Sequence, residues 1–200
     1  LITLAAPVPV YGLAMSGTGI LYMSKGYFGD QFAWVDTAQC RDQATCDALV
    51  ACAISCTPTV CPNTCDGAGI GIVTMSGGAA TSAYSYGITV DCKQRVWLAG
   101  ITNSNVRRYD PSQPADMRLT VAAGTTGVHG IGADSNGWVW GAAGANVYRI
   151  HAETLASTSI AAASKGIGVD SNGRVWSIPI ADAASVIEPC GAAALSRTRS

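Results

Sequence analysis

Charge is scarce in this chain. Asp, Glu, Lys and Arg make up 12% of its 200 residues, and the formal net charge is −1. The cations stand singly, so no basic stripe exists to neutralise a phosphate backbone or an anionic leaflet. Nucleic acid is therefore not expected as a partner. Long apolar runs are missing as well: the longest weakly polar stretch, residues 48–55, is broken by cysteines and falls far short of the roughly 20 residues a spanning helix needs. No membrane span is expected. Histidine occurs only twice, at His129 and His151, and no Cys-x-x-Cys, His-Glu-x-x-His, Gly-x-Ser-x-Gly or phosphate-loop pattern is present, which removes the usual sequence signals of metal centres and activated nucleophiles. No metal site and no resident cofactor are expected on these grounds.

What is present points to turns and to a packed core. The chain holds 23 glycines and eight prolines, 48% of it is apolar, and its mean hydropathy is +0.26. That composition excludes a disordered chain of high charge and low hydrophobicity.

Internal repetition is the strongest signal. YGITVDCKQRVWL begins at Tyr86, HGIGADSNGWVWG at His129 and KGIGVDSNGRVWS at Lys165, and a fainter copy, YGLAMSGTGILYM, begins at Tyr11. In that copy Ser16 stands where the others have Asp91, Asp134 and Asp170, and Tyr22 where they have Trp97, Trp140 and Trp176. The repeat glycines are Gly12, Gly87, Gly130 and Gly166. The last two intervals between them are close to the period of roughly 40 residues typical of propeller blades. The first is much longer, which implies an insertion inside the first unit.

Each unit reads as strand, tight turn, strand, loop, strand. Asn136-Gly137 and Asn172-Gly173 predict two-residue type I′ hairpin turns. The Asp before each turn suits an Asx turn, and the Trp offers a large apolar face to a neighbouring sheet. A third strand is expected at 105–109, 146–150 and 185–187, and a fourth, Ala-rich one at 118–123 and 158–162. Four strands make one blade. The fold class expected is all-β: a β-propeller of four-stranded blades over residues 1–200, with repeats starting near 12, 87, 130 and 166. Four units suit either a small ring or a fragment of a larger propeller. The opening residues align with an outermost strand, so residues 1–6 are expected to complete the last blade and close the ring.

Six of the eight cysteines, Cys40, Cys46, Cys52, Cys56, Cys61 and Cys65, fall in the segment that lengthens the first blade. So short an insert, 40–65, has little room for a core, and three disulfides are its natural support. Residues 45–53 predict one or two helical turns with Thr45 as N-cap. Disulfides imply an oxidising compartment, hence a secreted or surface protein, with any export signal expected to be removed or to lie outside this sequence. Cys92 and Cys190 pair only if the fold brings them together.

The string G-I-x-x-D-x-x-G-x-x-W, clearest at 166–176, resembles the repeat of the streptogramin B (virginiamycin B) lyase and NHL-type β-propellers. The lyase branch implies elimination at the ester of a cyclic depsipeptide, with a histidine base, a second histidine near a Glu, and magnesium. His129 stands at a position that looks like one of those histidines. Gly127 occupies the place where the family pattern has Glu, and the residues following Trp97, Trp140 and Trp176 are LAG, GAA and SIP rather than the family's Phe-Thr-Glu.

In a propeller, the residues entering the innermost strands open onto the mouth of the central channel. Here these are Tyr11, Tyr86, His129 and Lys165, and together they form the expected ligand-binding set, for a small molecule or an extracellular partner. Lys25, Tyr27, Phe28, Asp30, Asn103, Asn105 and Asp182 are expected to form a second ring. His151 beside Glu153 reads as a solvated polar pair on the rim. A binding module without catalysis is the leading reading. The alternatives are a lyase using His129 as base with magnesium, or a structural repeat segment of a longer protein.

Overall fold

A computed structural model describes residues 3–26, 29–55, 69–75, 85–101, 104–179 and 185–187. The chain forms four successive antiparallel sheets. The first contains β1 (Gly12–Met15), β2 (Ile20–Ser24), β3 (Gln31–Asp36) and β4 (Ile70–Thr74), with α1 (Gln43–Ser55) between β3 and β4. The second contains β5 (Ile88–Val90), β6 (Val96–Leu98), β7 (Asn105–Tyr109) and β8 (Leu119–Thr126). The third is β9 (Ile131–Ala133), β10 (Trp138–His151) and β11 (Ser157–Ser164), and the last is β12 (Gly166–Val169), β13 (Val175–Ile178) and β14 (Ser185–Ile187).

The third sheet is also a four-stranded blade. A straight strand of 14 residues would span about 46 Å, yet the Ala152 N–H donates to the Gly137 carbonyl at 2.9 Å. β10 therefore folds back on itself around Gly144, whose φ is +69°. Its first arm pairs with β9 through Val139, Trp140 and Gly141, and its second pairs with β11 through residues 146–150.

The inner hairpins are built by the motif's Asp and Trp. Asp134 Oδ1 accepts the N–H groups of Asn136 and Trp138, while Oδ2 accepts the indole N–H of Trp140 at 2.9 Å. Asp91 does the same for Lys93, Arg95 and Trp97, and Asp170 for Asn172, Arg174 and Trp176. One carboxylate thus fixes the turn and orients the indole, a link that the separate Asx and packing readings missed. The turn type differs from the expected I′. Only Gly137 and Gly173 have positive φ, while Asn136 and Asn172 do not, and the Gly173 N–H returns to the Asp170 carbonyl. This is a type I turn followed by a left-handed glycine, selected because the Asp accepts the N–H groups on the turn's inner side. In the first blade the Ser16 hydroxyl accepts the Ile20 N–H in the same role.

In the second and third blades the hairpin's tryptophan packs towards the blade that follows. Trp97 lies in a core with Val128, Ile131, Val139 and Ile150 of the third blade, and Trp140 with Val175, Ile167 and Val169 of the fourth. The cross-strand partner of Trp97, Arg108, also lays its guanidinium over the ring, 6.0 Å from its centroid. Inner strands β1, β5, β9 and β12 are consecutive neighbours, but β1 and β12 do not pack together as the other neighbours do. The described blades form an open arc.

The insertion differs from its expectation in two details. The helix is longer than the 45–53 segment and its cap is Asp42, not Thr45: Asp42 Oδ1 accepts the Thr45 N–H at 2.8 Å, and the Thr45 hydroxyl accepts the Asp42 N–H at 3.1 Å. The two side chains satisfy each other's backbone donors as a capping box does. Cys46, Leu49, Val50 and Ala53 form the buried face of α1, which rests on Ile70 of β4 and Val35 of β3. Cys40 is disulfide-bonded to Cys46, and Cys52 is also disulfide-bonded. Cys56, Cys61, Cys65 and Cys190 lie outside the described residues, and Cys92 is an exposed free thiol.

Residues 3–6 form no strand. Thr3 exchanges hydrogen bonds with the Gln43 side chain at the start of α1, and Leu4 packs on the first blade's core. Ring closure by this segment is thereby corrected: apolar cover and two hydrogen bonds hold it on the first blade.

Candidate functional site

The four entry residues occupy one register position. The backbone N–H of Tyr11, Tyr86, His129 and Lys165 donates to the carbonyl of Ser24, Ala99, Ala142 and Ile178 respectively, at 2.8 to 3.0 Å. Because the inner strands run side by side, this shared bond places the four side chains in a row along one end of the arc.

The row is continuous. The Tyr11 and Tyr86 hydroxyls are hydrogen-bonded to each other and their ring centroids are 4.2 Å apart. The His129 ring meets Tyr86 edge to face at 5.5 Å, and Lys165 Nζ donates to His129 Nε2 at 2.8 Å. An ammonium only donates, so Nε2 is the acceptor, and Nδ1 carries the proton that His129 gives to the Gly127 carbonyl at 2.9 Å. Burial, and then the Lys165 charge, pull the His129 pKa below its ordinary 6.5 against the opposing pull of the Gly127 carbonyl. The imidazole is therefore neutral near pH 7. Lys165 has no carboxylate partner among the described residues.

These side chains and the first residues of the inner strands line an open cavity of about 550 Å³. Of the second ring, Lys25 bonds to Gln31 and Asn105 to the Thr125 backbone. Neither these two nor Asp30 lines the cavity. Tyr27, Phe28, Asn103 and Asp182 lie outside the described residues. A smaller cleft of about 320 Å³, which the sequence did not disclose, lies between the first two blades and is lined by Tyr22, Trp34, Tyr109 and Arg118 among others. Burial, followed by the neighbouring Tyr109, pushes the Tyr22 hydroxyl up to about 12.

His151 and Glu153 do not form the expected rim pair. His151 Nδ1 accepts the backbone N–H groups of Glu153 and Thr154, and its ring stands edge-on to Trp138 at 4.8 Å. The Glu153 carboxylate instead reaches Lys93 and Arg95 of the preceding blade, at 3.0 Å each. Arg95 is itself buried against Asp91. This carboxylate is a clamp between blades.

Magnesium, which the lyase resemblance implies, prefers oxygen ligands. Among the described residues the mouth is lined by Tyr, His, Lys, Gly, Leu and Ile and holds no carboxylate, and no cluster of three or more His, Cys, Asp or Glu occurs among them. The described residues of the mouth do not fit that ion.

No family model matches the chain, and no curated protein matches it. Solved structures do. Virginiamycin B lyase from Staphylococcus aureus superposes with a TM-score of 0.63 at 13% identity, over 96% of this chain and 56% of that one. The extracellular domain of a hybrid two-component system from B. thetaiotaomicron gives 0.59 at 15% identity, over 94% of this chain and 23% of that one. YCF48 bound to D1 peptide gives 0.56 at 10% identity, over 95% and 55%. The chain thus spans little more than half the length of the lyase it resembles. At these identities the likeness is one of architecture, and together with the four radially neighbouring sheets it makes this chain a β-propeller of four visible blades.

Proposed function

We propose that the chain is an extracytoplasmic binding module whose site is the channel mouth, and that it takes a small planar molecule carrying an anionic group. The observation that supports this is the continuous row Tyr11, Tyr86, His129 and Lys165, one side chain from each blade, beside an open cavity. Aromatic faces supply contact area, and the lysine supplies a cation oriented by a neutral imidazole, the few convergent polar groups that a ligand pocket uses. The Cys40–Cys46 disulfide and the extracellular domain among the similar structures support the location.

Saturation-transfer NMR with benzoate tests the site. Binding is expected in the wild type and at least tenfold weaker in Lys165→Met and Tyr86→Ala. Equal signals in all three proteins would refute it. The lyase reading rests on His129 alone, with Lys165 donating to its one basic nitrogen. Only background opening of a cyclic depsipeptide is expected, and it is expected to be unchanged in His129→Ala.

A further inference from the structure

The cleft between the first two blades lies away from the channel mouth. Tyr11 and Tyr86 enter the inner strands at one end, whereas Thr18 and Gln94, which line the cleft, belong to the hairpin turns at the other. These two turns are tied together, the Gly17 N–H donating to Gln94 Oε1 at 2.6 Å. Gln94 breaks the pattern of its repeat. Gly19, Gly137 and Gly173 hold the equivalent left-handed position in the other three hairpins, and Gln94 adopts it with a φ of +65°. Residues with a side chain are uncommon in that region, so this turn carries strain and places an amide at the cleft.

The lining defines what fits. Tyr22, Trp34 and Tyr109 border a space of about 320 Å³, at the small end for ligand pockets and suited to a single substituted ring. Tyr22 is only 4% exposed, yet its hydroxyl has no hydrogen-bond partner among the described residues, and burial keeps it protonated. Arg118 donates from Nε to the Gln113 carbonyl and from Nη1 to the Tyr109 hydroxyl, and has no carboxylate partner among the described residues. No Asp or Glu lines the cleft among them. An unpaired guanidinium beside an unused buried O–H favours an anionic acceptor, and arginine holds a carboxylate through two parallel bonds. The Thr18 hydroxyl and the Gln94 amide retain both donor and acceptor capacity. An arene has nothing to offer these two groups, whereas a sugar has hydroxyls for them and a C–H face to lay on aromatic rings.

We infer that this cleft is a second binding site, independent of the channel mouth, and that it takes one hexuronic acid residue. Its carboxylate lies on Arg118, its ring lies against the aromatic walls, and its hydroxyls bond to Tyr22, Gln94 and Thr18. The free sugar acid and the terminal residue of an acidic polysaccharide share this chemistry.

Titrating isotope-labelled protein with galacturonate in two-dimensional NMR tests this, with the Trp34 indole N–H as reporter. That signal is expected to shift in the wild type. Binding is expected to weaken at least tenfold in Arg118→Met and at least fivefold in Tyr22→Phe and in Gln94→Gly, the last a variant whose turn the other three hairpins already form with glycine. Galactose, which lacks the carboxylate, and phenylpropionate, which lacks the hydroxyls, are each expected to bind at least tenfold more weakly than galacturonate. Trigalacturonate separates the sources: equal affinity assigns the free sugar acid, and tighter binding assigns the end of a polysaccharide. A Trp34 signal that does not move, binding that survives all three substitutions, or galactose or phenylpropionate binding as well as galacturonate would overturn the inference.

Discussion

The third and fourth blades are written in nearly the same words, HGIGADSNGWVWG and KGIGVDSNGRVWS, and meet different surroundings. Both make the same turn, with one aspartate accepting two backbone N–H groups and an indole N–H. In the third blade Trp140 is buried under β12 and β13, whereas in the last blade Trp176 meets no further blade among the described residues and is 39% exposed. The motif is therefore a local device that shapes a hairpin. Its contribution to stability is set by the neighbour it meets.

Truncating the two tryptophans should break this equivalence most visibly. Trp140→Ala is expected to cost about 3–5 kcal/mol, as large-to-small changes in cores do. Trp176→Ala should cost less than about half as much in the same urea titration. Equal losses would mean that burial by the following blade is not what the tryptophan contributes.

The aspartates sharpen the contrast at a smaller scale. Asp134→Ala strands a buried indole N–H and turn donors, at about 1–3 kcal/mol. Asp170→Ala should cost under about 1 kcal/mol, because water reaches the exposed group and replaces the lost bonds.

The first blade offers a third comparison, since it holds Ser16 and Tyr22 in place of Asp and Trp and a stapled helix on its outer side. Cleaving Cys40–Cys46 and blocking both thiols should cost about 2 kcal/mol on the loop-entropy model. Hydrogen exchange should speed up in α1 and β4 and leave β6 and β9 unchanged. A uniform increase would show that the blades do not differ in this way.

The smallest effect concerns the clamp between the second and third blades. Hydrogen bonds from Arg95 and Lys93 hold the Glu153 pKa at about 2, below its ordinary 4.5. A lowered carboxylate pKa stabilises the fold above the unfolded value, and this stabilisation is lost as pH falls from 4.5 towards 2. Glu153 is half exposed, so solvent screens the pair. The melting temperature of Glu153→Gln should therefore decline only slightly less than that of the wild type across this range, measured by thermal melts at steps of pH.

Much of the architecture was legible because a hairpin is a short-range object. Gly, Ile, Asp, Gly and Trp at fixed spacing specify strand, turn and strand within one repeat, and the four repeats specified neighbouring sheets. The entry residues were legible by the same register logic. The details that escaped depended on competing partners. Asn-Gly signalled a hairpin, but Asp134 and Asp170 chose its turn type. Thr45 resembled a cap, but Asp42 takes that role because the two side chains bond reciprocally. His151 and Glu153 are close in sequence, yet the nearest cations to the carboxylate belong to another blade, more than fifty residues earlier in the chain.

By itself, then, the sequence determined the repeating hairpins, the placement of Tyr11, Tyr86, His129 and Lys165 at equivalent positions, and the need for covalent support in a cysteine-rich insert. Each of these follows from steric and hydrogen-bonding preferences within a few residues. Only the tertiary structure decided which tryptophans are buried, that Lys165 donates to a neutral His129, and that Gly87 and Gly130 face a neighbour's backbone. Those outcomes depend on what stands across a blade junction, and no local pattern encodes that.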